Sequence, residues 1–334
     1  GYTVTSSAND GAGSLRYGLA SVCANATISF SDDYTITLAS QLVVNKSLTI
    51  TGAGHHITID GNHAVRIFEI SGGNSTFDSL NLINGQVSDQ GGAMQIEHST
   101  GVSVVNSTFS GNYGTYAGGA IYSLADSLII SNSTFVNNSS RDHAGALAAV
   151  RGYGCGVTTL TNNTFSGNTS GGADGTIGSI YCETTLRNNI IKTSGDSACS
   201  GIGGGTFNDG GGNLVWGDTS CPGTNANPAL GSLGDYGGAT PTMALSADSA
   251  AIDAGNATYC PATDQRGVLR MTDLGCDSGA FEMRYADSDT VIRPVTAALS
   301  TFGPTLAGIR NDGGAGADDP GVVTVKKSFT WSTK

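Results

Sequence analysis

Apolar and polar residues alternate in short runs along most of this chain, and the runs are too brief for helices. Val102-Ser103-Val104-Val105 is one such run; Asn106 follows as a turn residue, and a second run centres on Phe109. Alternation with a period of two describes half-buried strands. The runs also recur. Asn106-Ser107-Thr108-Phe109-Ser110-Gly111-Asn112 returns as Asn132-Ser133-Thr134-Phe135-Val136-Asn137-Asn138, then as Asn162-Asn163-Thr164-Phe165-Ser166-Gly167-Asn168, at steps of 26 and 30 residues. A second marker, Gly91-Gly92-Ala93, returns as Gly118-Gly119-Ala120 and Ala144-Gly145-Ala146, at steps of 27 and 26. Weaker copies extend upstream through Leu80-Asn81-Leu82-Ile83-Asn84-Gly85 and downstream through Leu186-Arg187-Asn188-Asn189-Ile190-Ile191.

A unit of this size cannot bury its own apolar face, but stacking one unit on the next builds a continuous core. The pattern therefore predicts an all-β protein, a single-stranded right-handed parallel β-helix (a solenoid). Phe109, Phe135 and Phe165 are expected to pile up inside at the ~4.8 Å strand spacing. Asn106, Asn132 and Asn162 are expected to form an amide ladder at one corner, each side chain bonding the next. The Gly-Gly-Ala units suit the tight bends. Near the start, Asp10-Gly11 marks a turn, Ser14 suits a helix N-cap, and Leu15, Leu19 and Val22 share one helical face. The reading is a helical cap over 1–24, roughly nine coils of about 25 residues over 25–282, and a tail over 283–334.

The opening Asn9-Asp10-Gly11-Ala12-Gly13-Ser14-Leu15-Arg16 resembles the N-terminal cap of bacterial secreted β-helix proteins, and the Phe-x-x-Asn and Gly-Gly-Ala repeats are similar to those of polymorphic outer-membrane and autotransporter passenger proteins. Four further blocks resemble the choice-of-anchor Q domain of bacterial surface proteins: Asp235-Tyr236-Gly237-Gly238-Ala239-Thr240-Pro241-Thr242, Ala250-Ala251-Ile252-Asp253-Ala254-Gly255, Cys260-Pro261-Ala262-Thr263-Asp264-Gln265-Arg266-Gly267, and Gly275-Cys276-Asp277-Ser278-Gly279-Ala280-Phe281-Glu282. The resemblance implies a secreted or surface-attached β-helix and no particular activity.

Composition narrows the function classes. Charged residues are 13% of the chain, Gly numbers 50 and Pro only 7, which fits neither a disordered chain nor collagen. The formal charge is −12 and the few Lys and Arg are scattered, so no nucleic-acid partner is expected. The same acidity disfavours polyanionic sugars. No run of 18 apolar residues occurs, so no membrane span is expected. The strand-like opening Gly1-Tyr2-Thr3-Val4-Thr5 suits a mature N-terminus left by signal cleavage. Six of the seven Cys fall from Cys155 onward, and no CxxC or Cys/His cluster suggests zinc. Cys155, Cys182, Cys199, Cys221, Cys260 and Cys276 are candidates for three disulfides, sequential pairing being the simplest of the possible connectivities, with Cys23 left over, buried or bonded to another chain.

Candidate chemistry is sparse. Asp32-Asp33, with Asp60 or Asp78, are the carboxylates from which a glycosidase pair would be drawn, but the motifs of polygalacturonase-like hydrolases are missing. Arg141-Asp142-His143 reads as a solvated turn. Of His55 and His56, strand geometry sends one toward the core and the other to solvent. Arg266 is expected to pair with one of Asp253, Asp264 and Asp277 and pin the last coil. Gly313-Gly314-Ala315-Gly316-Ala317-Asp318 reads as linker. Ten Asn-x-Ser/Thr sequons occur; those at the ladder positions follow from the fold, while Asn25, Asn45 and Asn256 stay open to glycosylation. No cofactor and no catalytic residue is expected.

In the tail, Val323, Val325, Phe329 and Trp331 share one face of a strand-like run. It either folds back on its own chain or adds to a neighbouring copy. The function expected from all this is an extracellular, cell-surface structural protein that self-associates, the tail strand serving as the joint, into a filament, sheath or surface layer. The alternative is an adhesin binding carbohydrate or another cell, and the third is a polysaccharide lyase or hydrolase. Close carboxylates in a groove would favour the enzyme, and clustered exposed aromatics would favour sugar binding.

Overall fold

The computed structural model describes residues 1–150, 156–172, 174–270 and 275–284. Residues 1–284 form one compact unit. It is a right-handed parallel β-solenoid of about eight turns. Sheet 1 has nine parallel strands, from Tyr2–Val4 to Thr206–Asp209; sheet 2 has nine, from Tyr34–Thr37 to Thr224–Asn225; sheet 3 has seven, from Leu42–Val44 to Cys199–Ile202. A small fourth sheet stacks four two-residue strands, from Gln86–Val87 to Thr169–Ser170. Helix α1, Leu15–Ser21, packs against the first coil; Ser14 Oγ accepts the Tyr17 N–H, and Leu15 and Leu19 are buried.

The stacking registers equivalent residues of successive repeats. Phe109 pairs with Phe135 and Phe135 with Phe165, their rings stacked 4.6 and 4.8 Å apart inside the coil. Sheet 1 contributes the inner column Ile50, Phe77, Val104, Ile130, Leu160 and Leu186 in the same way.

The Asn ladders lie elsewhere than at Asn106, Asn132 and Asn162. Those three have φ of 51°, 48° and 52°, the left-handed corner of the coil. That geometry turns their side chains outward: Asn106 donates to Asp78, Asn132 to the Thr263 carbonyl and Asn162 to the Asp277 carbonyl. Only Asn162 joins an Asn–Asn bond, accepting from Asn188. Two other columns face inward. Asn112 donates to Asn138 and Asn138 to Asn168, each at 2.9 Å. Asn163 donates to Asn189 and Asn189 to Asn213, each at 3.1 Å. Each acceptor amide oxygen also takes the backbone N–H of the residue that donates to it, and each donor amide reaches a main-chain carbonyl. These buried amides are satisfied on every side, as buried polar groups must be.

Coils end sooner than the expected nine because the chain leaves the solenoid after Thr224–Asn225. It makes an antiparallel pair, Leu230–Gly234 with Thr242–Leu245, and then lies as a strap over the outer face of sheet 2. Gln265 bonds both Thr108 and Thr134, and the Ala280 N–H bonds Thr164. Arg266 pairs with Asp264 at 2.7 Å and stacks on Phe281; Arg270, which the sequence reading did not single out, pairs with Glu282 at 2.9 Å and bonds Asn132. Disulfides join Cys199 to Cys221 and Cys260 to Cys276. Cys23 is exposed and Cys182 buried, while Cys155 lies outside the described residues. So do Gly313-Gly314-Ala315-Gly316-Ala317-Asp318 and the strand residues Val323, Val325, Phe329 and Trp331.

The inward ladder, not the corner Asn, is expected to carry stability. Asn138→Ala removes the partner of the Asn112 backbone N–H and the amide bond to the Phe109 carbonyl, and should cost about 3 kcal/mol. Asn106→Ala, at the surface, should cost less than about 1 kcal/mol. Urea unfolding that ranks the two the other way would contradict the ladder assignment.

Asp277 gives the strap a pH dependence. Burial, and then the Glu282 carboxylate, push its carboxyl up to about 7, against the opposing N–H groups of Met283 and Asp253. An acid with a raised folded-state pKa holds its proton more tightly when folded, so its contribution is full in acid and is lost as pH rises through about 7. The wild-type chain should therefore lose more stability between about pH 5 and pH 8 than Asp277→Asn does. Equal losses in urea titrations would remove Asp277 as the cause.

Candidate functional site

The outer face of sheet 3 carries the densest unrepeated chemistry. Strand pairing aligns Val43, Glu69, Gln95, Tyr122, Ala148 and Gly178 in one outward row, one residue per coil. Their neighbours along the strands point inward and are buried: Leu42, Phe68, Met94, Ile121 and Leu147. Glu97 lies two residues past Gln95 and on the same side, where it accepts from the Gln95 amide; its N–H bonds the Ile70 carbonyl of the preceding coil. Beside this row run the bends that precede each strand. Gly91 and Gly118 there have φ of 65° and 63°, and a Cβ on either would meet a carbonyl oxygen at 2.1 Å. Ala117 and Ala144, from two of these bends, pack with Ala148 and against Tyr122.

Hydrogen bonds fix the polar groups. Gln41 donates to Glu69, and Gln95 to Glu97. Arg66 is buried; its Nη1 donates to Gln41 Oε1 at 3.1 Å, and its Nε and Nη2 hold the Gln90 and Gly91 carbonyls. Each Glu thus spends part of one carboxylate on an amide and keeps acceptor capacity on its outer side. Arg66 and Gln41 also line a cleft of about 570 Å³, with His63, Gln86, Tyr113 and Thr115. Burial draws the Arg66 guanidinium below its ordinary range, and the Asp89, Glu69 and Glu97 carboxylates act in the opposite sense. Burial raises the Tyr122 phenol, and Glu97 and Asp89 raise it further. The outer face of sheet 3 therefore presents Glu69 and Glu97 with the half-buried Tyr122, whose raised phenol stays neutral, while the cleft is lined by Gln41 and the committed Arg66.

The residues singled out from the sequence do not converge here. Asp32 and Asp33 are exposed in the turn before Tyr34–Thr37. Asp33 accepts the His56 N–H and lies 3.5 Å from His55 Nδ1; that backbone bond is the main cause that holds its carboxyl low. Asp60 is on sheet 2 and Asp78 on sheet 1, each already accepting protein hydrogen bonds. Neither His55 nor His56 faces the core, because both sit in the turn ahead of Ile57–Asp60. Arg141 pairs with Asp142 and lies 5.5 Å over the Tyr116 ring, while His143 bonds Asp174, which also accepts from Ser200. Asn25 and Asn45 are exposed; Asn256 is held through both side-chain atoms, by Thr258 and Gly210. Glu69, Gln95, Glu97 and Tyr122 escaped the sequence reading because the repeat motifs mark corners and core positions. Only the alternation within Met94-Gln95-Ile96-Glu97 hinted at an outward polar pair.

These features define a parallel β-solenoid with a row of polar side chains on the outer face of sheet 3 and a cleft lined by Gln41 and Arg66. No family model matches the chain, and no curated protein matches it. The motif likeness to choice-of-anchor Q and polymorphic outer-membrane proteins thus has no matching family behind it. Among solved structures the chain is similar to Jun a 1, the major allergen from cedar pollen, at 16% identity and a TM-score of 0.38, over 67% of this chain and 81% of that chain. That level of likeness says nothing about a site.

Tyr122 should ionise above the ordinary tyrosine value of about 10, because burial and then the Glu97 and Asp89 carboxylates raise it. In an alkaline absorbance titration, Tyr122→Phe should remove a component at the upper end of the curve. Loss of a component at or below about pH 10 would mean that neither burial nor the carboxylates raise this phenol.

Proposed function

We propose that this chain is an extracellular β-helix that binds carbohydrate along the outer face of sheet 3, the adhesin reading. The observation that carries it is the Gln41–Glu69 and Gln95–Glu97 pairing beside the half-buried Tyr122. Sugars offer rows of vicinal hydroxyls, each both donor and acceptor. Carboxylates held by one amide accept two such hydroxyls, and a neutral phenol supplies the matching donor. The exposed ring of Tyr116 sits on the adjoining bend and supports stacking on a sugar face. Two disulfides fit an oxidising compartment, and no described helix is long and apolar enough to cross a membrane. The filament, sheath or surface-layer reading depends on the 322–332 strand, outside the described residues, and gains no support.

Hydrolysis is the second reading, favoured by the same carboxylates. Glu69 and Glu97 stand one coil apart and two residues along, so strand geometry puts their Cα atoms about 8 Å apart. Two carboxylates facing one groove are the minimum that a glycosidase requires.

Calorimetric titration with soluble neutral polysaccharides tests both. Glu97→Gln should weaken binding about tenfold, roughly 1.4 kcal/mol, without lowering the melting temperature. Reducing ends released by the wild-type chain but by neither Glu69→Gln nor Glu97→Gln would make it a hydrolase. No binding across the panel would end the carbohydrate reading of this groove.

A further inference from the structure

A second outer face carries an independent signal, at Arg187. Five other described arginines commit their guanidinium groups: Arg16, Arg66, Arg141, Arg266 and Arg270 bond carbonyls, side-chain amides or carboxylates. Arg187 makes no hydrogen bond and no ion pair among the described residues, and its Nε is buried without a partner. A buried unpaired donor on a charged group is costly and calls for a cause. The guanidinium is nonetheless held in place. It lies 4.2 Å over the ring of Tyr259, from the strap, and its stem crosses Gly210, where a Cβ would meet Arg187 Cγ at 2.4 Å. The two acidic side chains closest in register are occupied elsewhere: Glu183 accepts from Asn208, and Asp209 from Asn213 and the Gly211 N–H.

Arg187 lies on the outer face of sheet 1, at the end of the strand before the last. Strand pairing puts it beside Thr161 of the preceding coil. The next row along the strands aligns Thr49, Thr76, Ser103, Ile129, Thr159 and Thr185, five hydroxyls in six coils at the ~4.8 Å strand spacing. Part of this row floors a shallow groove of about 440 Å³ whose lining holds no ionisable side chain.

We infer that Arg187, stacked on Tyr259, is an anion-binding subsite for the carboxylate of a glycan whose neutral part lies along the hydroxyl row of sheet 1. A planar guanidinium pre-set against a ring binds a carboxylate through two parallel N–H donors. The net charge of −12 opposes a polyanion, so the fitting ligand carries an isolated carboxylate, as a terminal uronic acid does. The site stands apart from the groove on sheet 3 and does not depend on it.

The test titrates the full chain with methyl glucuronide, methyl glucoside and acetate at low salt, followed by calorimetry and NMR. The glucuronide should bind, and the glucoside and acetate at least tenfold more weakly. Arg187→Gln should lose the glucuronide, Arg187→Lys should keep part of the affinity, and Tyr259→Leu should weaken it. The glucuronide should shift the Arg187 side-chain NMR signals, which separates this site from the outer face of sheet 3. Acetate or the glucoside binding as well as the glucuronide would overturn the assignment, as would full affinity in Arg187→Gln. Should Arg187→Gln fail to fold, a fully folded Arg187→Lys with unaltered affinity and salt response would overturn it equally.

Discussion

Coil-to-coil hydrogen bonding is the constraint on which everything else in this molecule rests. In the three long sheets a strand finds its partners on the coils before and after it, so no turn of the solenoid is complete alone. Equivalent residues must then stack on one another at about 4.8 Å, and only side chains that tolerate self-stacking can fill the inside. Flat Phe rings and Asn amides meet that demand in different ways. The rings at Phe109, Phe135 and Phe165 exclude water, while Asn112, Asn138 and Asn168 join the main chain of neighbouring coils where the backbone bends and would otherwise leave its polar groups unpaired.

A stacked column has ends and flanks to protect. Helix α1 packs against the first coil, and the strap covers sheet 2 where Thr108, Thr134 and Thr164 would otherwise meet solvent. The strap is unusually rich in buried charge. Asp264, Arg266, Arg270, Asp277 and Glu282 are all buried, and the ion pairs and carbonyl bonds among them leave little freedom for the chain. Such networks specify one path for an irregular segment more than they add net stability, which explains why the strap follows a single course without regular structure.

What the coil geometry leaves free is the outward row on each face. Sheet 2 spends its row on the strap, while sheet 1 keeps its row half-exposed and sheet 3 leaves Val43, Glu69 and Tyr122 accessible but buries Gln95, Ala148 and Gly178. On sheet 3 the row gathers Glu69, Gln95 and Tyr122, with Glu97 beside them; on sheet 1 it gathers hydroxyls, with Arg187 two residues past Thr185 in the neighbouring row. A solenoid can thus carry unrelated surfaces on one core, because an outward residue can change without disturbing the inward stack.

The sequence by itself determined the solenoid, because stacking imposes a period, and the period is written in the Phe and Gly-Gly-Ala markers. It also determined the cap helix, through Ser14 and the Leu15 and Leu19 face, and the pairing of Arg266 with a nearby carboxylate. It did not determine which Asn of each repeat faces inward. The left-handed corner at Asn106, Asn132 and Asn162 reverses the side-chain direction that simple alternation assigns. Nor did it show that 226–284 folds back as a strap rather than continuing as coils, since short apolar runs pair equally well either way. The sheet 3 groove was decided only by tertiary structure. Its side chains come from different repeats, share no motif, and meet because winding sets residues some 26 apart side by side.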